Sequence, residues 1–173
     1  TDDIDGQTRP TGAGTWDIGA DEVTSNTTTL GDGSDPSNST VAPGSTNQYL
    51  DQFTFVTSSG SDSVTALTVT TANTTAIASM EIWDEALGTQ YFSTVSVPTG
   101  DTWSFSGGTN PSIPVTISSA SFRVRFTAKS HAALASGTYA VTGTVISYTC
   151  TNAQAGADTD SATITVDNSP PAN

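Results

Sequence analysis

The sequence predicts an all-β fold, a sandwich of about eight or nine short strands. Three observations carry this. Apolar residues recur at spacing two, most clearly in "SFRVRFTA", where Phe122, Val124 and Phe126 face one way and Arg123 and Arg125 the other. Turn signals ("SSGSD", "EALGT", "PTGD", "GGTNP", "ASGTY") separate such runs at short intervals. Thr and Val dominate the runs themselves, as β-branched residues do on a pleated surface.

In chain order, the first candidate is "TWDIGADEV", residues 15–23. Trp16, Ile18 and Ala20 alternate with Asp17, Gly19 and Asp21, and Val23 shifts the register by one. A half-buried strand is expected there. Residues 24–48 are polar and rich in Gly, Pro, Ser and Thr, which is linker or surface-loop composition. The sandwich itself is expected over 49–168. "YLDQFTFVT" puts Phe53 and Phe55 on one face, and "SVTALTVTT" does the same for Leu67 and Val69. "IASMEIW" aligns Met80 with Ile82, and "TWSFS" aligns Trp103 with Phe105. "QYFSTVSV", "GTYAVTGTVISYT" and "ATITVD" complete the series, and 169–173 form a tail. Only "SHAALA", 130–135, leans towards helix, as one turn between strands.

Composition narrows the function classes. The 173 residues suit one good-sized domain, or one domain with an extension. Hydrophobic residues at 34% are few but above the disordered range. The 17 Asp and Glu against 4 Lys and Arg give a net charge of −13. Such a surface repels phosphate backbones and anionic membranes, so neither nucleic acid nor membrane is an expected partner. It suits solubility and divalent cations, and a salt-loving source is another reason for it. The lone Cys150 excludes an internal disulfide, though not an extracellular location, and is expected to be a small buried hydrophobe. The "TDDIDG" start, without Met or a signal sequence, is expected of a trimmed chain or of the mature product of a longer precursor.

Catalytic chemistry finds few candidates. The only histidine, His131, neighbours Ser130, but adjacency in sequence is not nucleophile–base geometry, and a structural role is expected. Asp84 and Glu85 are adjacent, so on a strand they point to opposite faces and cannot flank one glycosidic bond. No cofactor and no enzymatic activity are expected. Calcium is the exception to consider: "DDIDG" (Asp2, Asp3, Asp5) and "GDGSD" (Asp32, Asp35) are oxygen-rich loops, although neither has full calcium-hand spacing. Solvated turns are the plain alternative. Lys129 invites an isopeptide cross-link, but no partner stands out. Trp83, Tyr91, Trp103 and Tyr148 would make a carbohydrate platform if exposed, although aromatics at strand spacing more often belong to a core. Sequons at Asn26, Asn38 and Asn73 permit glycosylation if exposed.

Two stretches resemble known families. In 2–22, "DDIDGQTRPTGAGTWDIGADE", the residues Asp5, Gly6, Gln7, Arg9, Pro10, Asp17, Ile18, Gly19, Ala20 and Glu22 carry the pattern. This segment resembles the closing segment of right-handed parallel β-helix surface proteins. Residues 30–173, with "LDQFTFVTSSGSDSVTALTVT", "FRVRFTAKSHA", "YAVTGTV" and "ATITVDNSPPAN", resemble an immunoglobulin-like module of large bacterial surface proteins. Such modules sit beside fibronectin type III modules or copies of themselves. The resemblance implies an extracellular, structural or adhesive role, and carries no catalytic residues.

The strand at 15–23 has three open placements: on its own sandwich, as a β-helix remnant, or in a neighbouring subunit's sheet. The third is β-augmentation, with Trp16, Ile18, Ala20 and Val23 as donor-strand contacts. A head-to-tail contact of that kind does not close, so it builds a homopolymer. The expected function is therefore a structural subunit of an extracellular filament or pilus-like assembly. The alternative is a monomeric adhesin or stalk module, with carbohydrate as its ligand.

Overall fold

A computed structural model describes residues 25–171 of the chain. The strand expected at 15–23, with Trp16, Ile18, Ala20 and Val23, lies outside the described residues, as do Asp2, Asp3 and Asp5.

Fourteen strands are described, in this order. They are β1 (Thr27–Asp32), β2 (Ser39–Val41), β3 (Gln48–Thr57), β4 (Ser61–Val64), β5 (Ala66–Thr71), β6 (Ile77–Asp84) and β7 (Gln90–Val95). There follow β8 (Thr102–Ser106), β9 (Ile113–Thr116), β10 (Ala120–Ala128), β11 (Thr138–Val141), β12 (Gly143–Thr149), β13 (Ala153–Gly156) and β14 (Ile164–Asp167). Short 3-10 turns occupy Thr74–Ala76 and His131–Ala133, the second inside the stretch expected to make one turn.

The fold is an all-β sandwich. One layer is a six-stranded sheet in the order β13-β1-β3-β10-β6-β7. The other is built from β11-β14-β2, β12-β5-β8 and the pair β4-β9. Most pairs are antiparallel, while β13 runs parallel to β1 and β2 parallel to β14. The expected alternation is visible at each strand. On β10, Phe122, Val124 and Phe126 are buried and Arg123 and Arg125 only partly so. Phe53, Phe55, Leu67, Val69, Met80, Ile82, Trp103 and Phe105 all join the same core. The layers meet through side chains such as Phe55 of β3 and Tyr148 of β12, whose ring centroids lie 5.0 Å apart. The buried Trp103 indole donates to Thr71 Oγ1 at 2.9 Å, so the largest core residue leaves no orphan donor.

Two expectations need correction. Residues 24–48 are not a linker: they supply β1 and β2, so the sandwich starts before residue 49. β1 alternates Thr with buried Thr28 and Leu30, and its backbone pairs with β3 from Thr28↔Thr57 to Asp32↔Phe53. Polar composition hid it, because Thr satisfies a strand as well as a loop. The strands also outnumber the eight or nine expected. β1, β2, β9 and β13 fell in stretches too short or too polar to show alternation, and "SVTALTVTT" is divided between β4 and β5.

Candidate functional site

The sandwich leaves the outer edge of β12 beside a groove of mixed polar and apolar lining. β12 pairs with β5 on one side and is an outer strand on the other. Its forerunner β11 is covered by β14, but β14 begins only at Ile164, opposite Val141. Further upstream β13 pairs with β1, in the opposite layer. A groove of roughly 370 Å³ follows the exposed side of β12. Its buried lining includes Leu30, Val145 and Tyr148, while Ile146 is 54% exposed at its rim. A register shift between Val145 and Ser147 leaves Ile146 out of the ladder to β5. The Tyr148 hydroxyl donates to the Thr28 carbonyl and accepts the Ala155 N–H at 3.0 Å, tying β12 to β1 and β13.

At the end of this groove stands Asp158, whose Oδ2 accepts the Val145 N–H at 2.6 Å. Asp158 belongs to a cluster of five carboxylates. The charges of Asp158 and Asp35 act on Asp51 of β3, and that of Asp32 acts on Asp158. Asp160 feels both Asp32 and Asp35. Ligand oxygens of Asp32, Asp35 and Asp160 lie within 4.8 Å of one another.

Local backbone chemistry holds the Asp32–Asp35 turn in place. Gly33 packs so closely on β3 that a Cβ there would stand 2.4 Å from the Gln52 carbonyl oxygen. Gln52 staples the loop to β3: its N–H donates to Asp35 Oδ1 at 3.0 Å, and its Oε1 accepts the Ser34 N–H at 2.7 Å. Thr159 Oγ1 donates to Asp32 Oδ2 at 2.8 Å.

Asp51 is the unusual member. It is 0% exposed, and among the described residues neither carboxylate oxygen has a hydrogen-bond partner. Asp158 is 8% exposed and its Oδ1 is likewise unpartnered. Burial, then the neighbouring negative charges of Asp158 and Asp35, push the Asp51 carboxyl far above the usual carboxylate range. Burial also raises Asp158, although the Val145 N–H works against it. Among the described residues the one salt bridge, Arg123–Glu85, lies elsewhere. There Arg123 Nε donates to Glu85 Oε2 at 2.8 Å and its guanidinium covers the Tyr49 ring.

The structure thus brings Asp32 and Asp35 together, and adds Asp51, Asp158 and Asp160, which the sequence reading missed. Asp51 had left a signal: it shares the register of Phe53 and Phe55, an acid on the inward face of a strand.

The other candidates are dispersed. Trp103 and Tyr148 are buried, and Tyr91 packs edge-on against Phe122, so the four aromatics form no common platform. Trp83 lies under the Arg125 guanidinium. His131 Nδ1 faces Asn168 Oδ1, and Asn168 Nδ2 donates to the Leu134 and Ala135 carbonyls, so His131 belongs to a turn anchored by a buried Asn. Asp84 Oδ1 accepts the Gly88 N–H, whereas Glu85 turns to Arg123. Cys150 is partly rather than fully buried; the strand β12 ends before it. Asn26, Asn38 and Asn73 are all exposed, with Asn38 Oδ1 accepting the Thr163 N–H and Asn73 Nδ2 donating to the Ala140 carbonyl.

No protein-family model matches the chain, and no curated protein matches it.

Proposed function

We propose that the protein is a structural subunit of an extracellular filament, joined head to tail by β-augmentation. The occupant of the β12 groove is the segment 15–23 of a second copy. The observation that carries this reading is the outer side of β12 from Ile146 onward, which no described strand covers, whereas the Gly143 and Val145 N–H groups before it are taken by Ser161 Oγ and Asp158 Oδ2. An added strand gains main-chain hydrogen bonds there, and its alternate side chains Trp16, Ile18 and Ala20 fill the groove over Leu30 and Val145. Donor and acceptor are different surfaces of one chain, so the contact repeats without closing.

The strand order supports an immunoglobulin-like reading of the sandwich. In that fold one sheet holds strands A, B, E and D, and the other G, F and C. Here β1-β3-β10-β6 has the first order, and β14 with β11–β12 and β5 has the second. β7, β8 and β9 are then an insertion between D and E. The extracellular placement rests on the resemblance to modules of bacterial surface proteins.

Electron microscopy of the purified full chain and of Trp16→Asp tests the proposal. Fibres from the first and single particles from the second are expected. Monodisperse monomers from the unmodified chain would contradict it and leave a monomeric surface module.

A further inference from the structure

We infer that Asp32, Asp35, Asp51, Asp158 and Asp160 form a binding site for a hard divalent cation, calcium by its ligand chemistry. The argument starts from the most buried member. Asp51 has 0% exposure and, among the described residues, no donor on either oxygen, so its ionised form forfeits hydration without replacement. Asp158 repeats the pattern with its Oδ1. Both stand beside acids of the cluster formed by Asp32, Asp35 and Asp160: the charge of Asp35 acts on Asp51, and that of Asp32 on Asp158. Exposed acids alone would be solvated turns. The inner pair changes the reading, because buried polar groups in native folds are normally satisfied.

Among the described residues no cationic side chain fills that role. Arg123 is committed to Glu85, and Arg125 lies over Trp83. A cation bound beside the inner pair would offset their buried negative charge and give orphaned oxygens a partner.

The donor set selects the ion. Every candidate ligand is a carboxylate oxygen, with no His and no thiolate among them, which disfavours zinc and copper. Two loops and the strands β1 and β3 supply the ligands. Calcium accepts about six to eight oxygens at variable angles, whereas magnesium demands a near-ideal octahedron. Calcium would also clamp residues 158–160 onto β1 and β3. Asp158 would then hold the Val145 N–H firmly at the end of the β12 groove. The site stands independently of the filament proposal, since it lies within one chain.

Calorimetric titration of the chelator-treated full chain with calcium chloride tests the inference. Saturable binding with a Kd below about 1 mM is expected, with magnesium at least tenfold weaker. Melting in calcium should exceed melting in chelator. Asp51→Asn is nearly isosteric, and Asp160→Asn alters an exposed side chain. Each should weaken calcium binding by about tenfold or more, with unchanged far-UV circular dichroism in chelator. If Asp51→Asn does not fold, Asp160→Asn decides. A folded chain without saturable calcium binding up to about 10 mM would overturn the site. So would both variants binding as tightly as the parent, and equal affinity for magnesium would overturn the assignment to calcium.

Discussion

Asp62 shows how single carboxylates are used in this acidic chain. It is 9% exposed and receives Thr28 Oγ1 at 2.5 Å and the N–H groups of Ser63, Thr151 and Asn152 at 2.8, 3.1 and 3.2 Å. Burial alone would raise its pKa, but these donors outweigh it and hold the group at about 2, below its ordinary 3.8. The fold therefore favours the ionised form. Its contribution is complete above a pH of about 4 and is lost as pH falls towards 2. Asp62→Ala removes the acceptor and strands three N–H groups, so unfolding in denaturant should report a loss of about 2–3 kcal/mol at neutral pH. The variant should also lose part of the parent's destabilisation between pH 4 and pH 2 (about 4 and about 2 in the same linkage). At this scale the sequence was half legible. Asp32 and Asp35 stood out because a Gly-rich loop presents them, whereas Asp158 and Asp160 needed the chain to return across β12 and β1 before they met the others. Asp62 was hidden in a turn signal, since a hydrogen-bonded acid and a solvated one have the same spelling.

Strands with large apolar residues were readable, and strands of Thr and Ala were not. β10 announces itself through Phe122, Val124 and Phe126, whereas β13, "AQAG", has no buried residue and pairs only through its backbone. Its last residue makes the pairing possible. Gly156 has φ +79°, and a Cβ there would come within 1.9 Å of the Leu30 carbonyl oxygen. Gly156→Ala should therefore detach β13 from β1, at a cost of about 1–3 kcal/mol. Hydrogen exchange should show faster exchange at Ala153–Gly156, with β10 protected as before. Unchanged exchange would mean that β13 tolerates a side chain that the present packing does not. β1 was misread for a related reason: its inward residues are Thr28 and Leu30, and the hydroxyl of Thr28 is satisfied by Asp62 rather than by water. Only the long-range pairing with β3 tells that segment from a loop.

For the whole molecule, the two layers and their core followed from alternation and turn spacing, but the arrangement of edges did not. Which strand remains an edge depends on where β14 stops and where β13 crosses to the other layer, and neither is written locally. Yet that arrangement is what the proposed assembly uses. In that proposal the alternating apolar segment 15–23 and the β12 edge with its groove are complementary halves of one contact. Trp16→Asp should spoil the donor, and Ile146→Arg the acceptor rim, since Ile146 is exposed and its replacement leaves the core intact. Both should fold. Mass photometry of the two variants, separately and mixed in equal amounts, tests the contact most directly. Each alone should be monomeric. Their mixture should give a capped dimer, because the intact donor of the Ile146→Arg chain meets the intact groove of the Trp16→Asp chain. The unmodified chain should form longer assemblies. A mixture that stays monomeric while both variants are folded would contradict head-to-tail joining at β12.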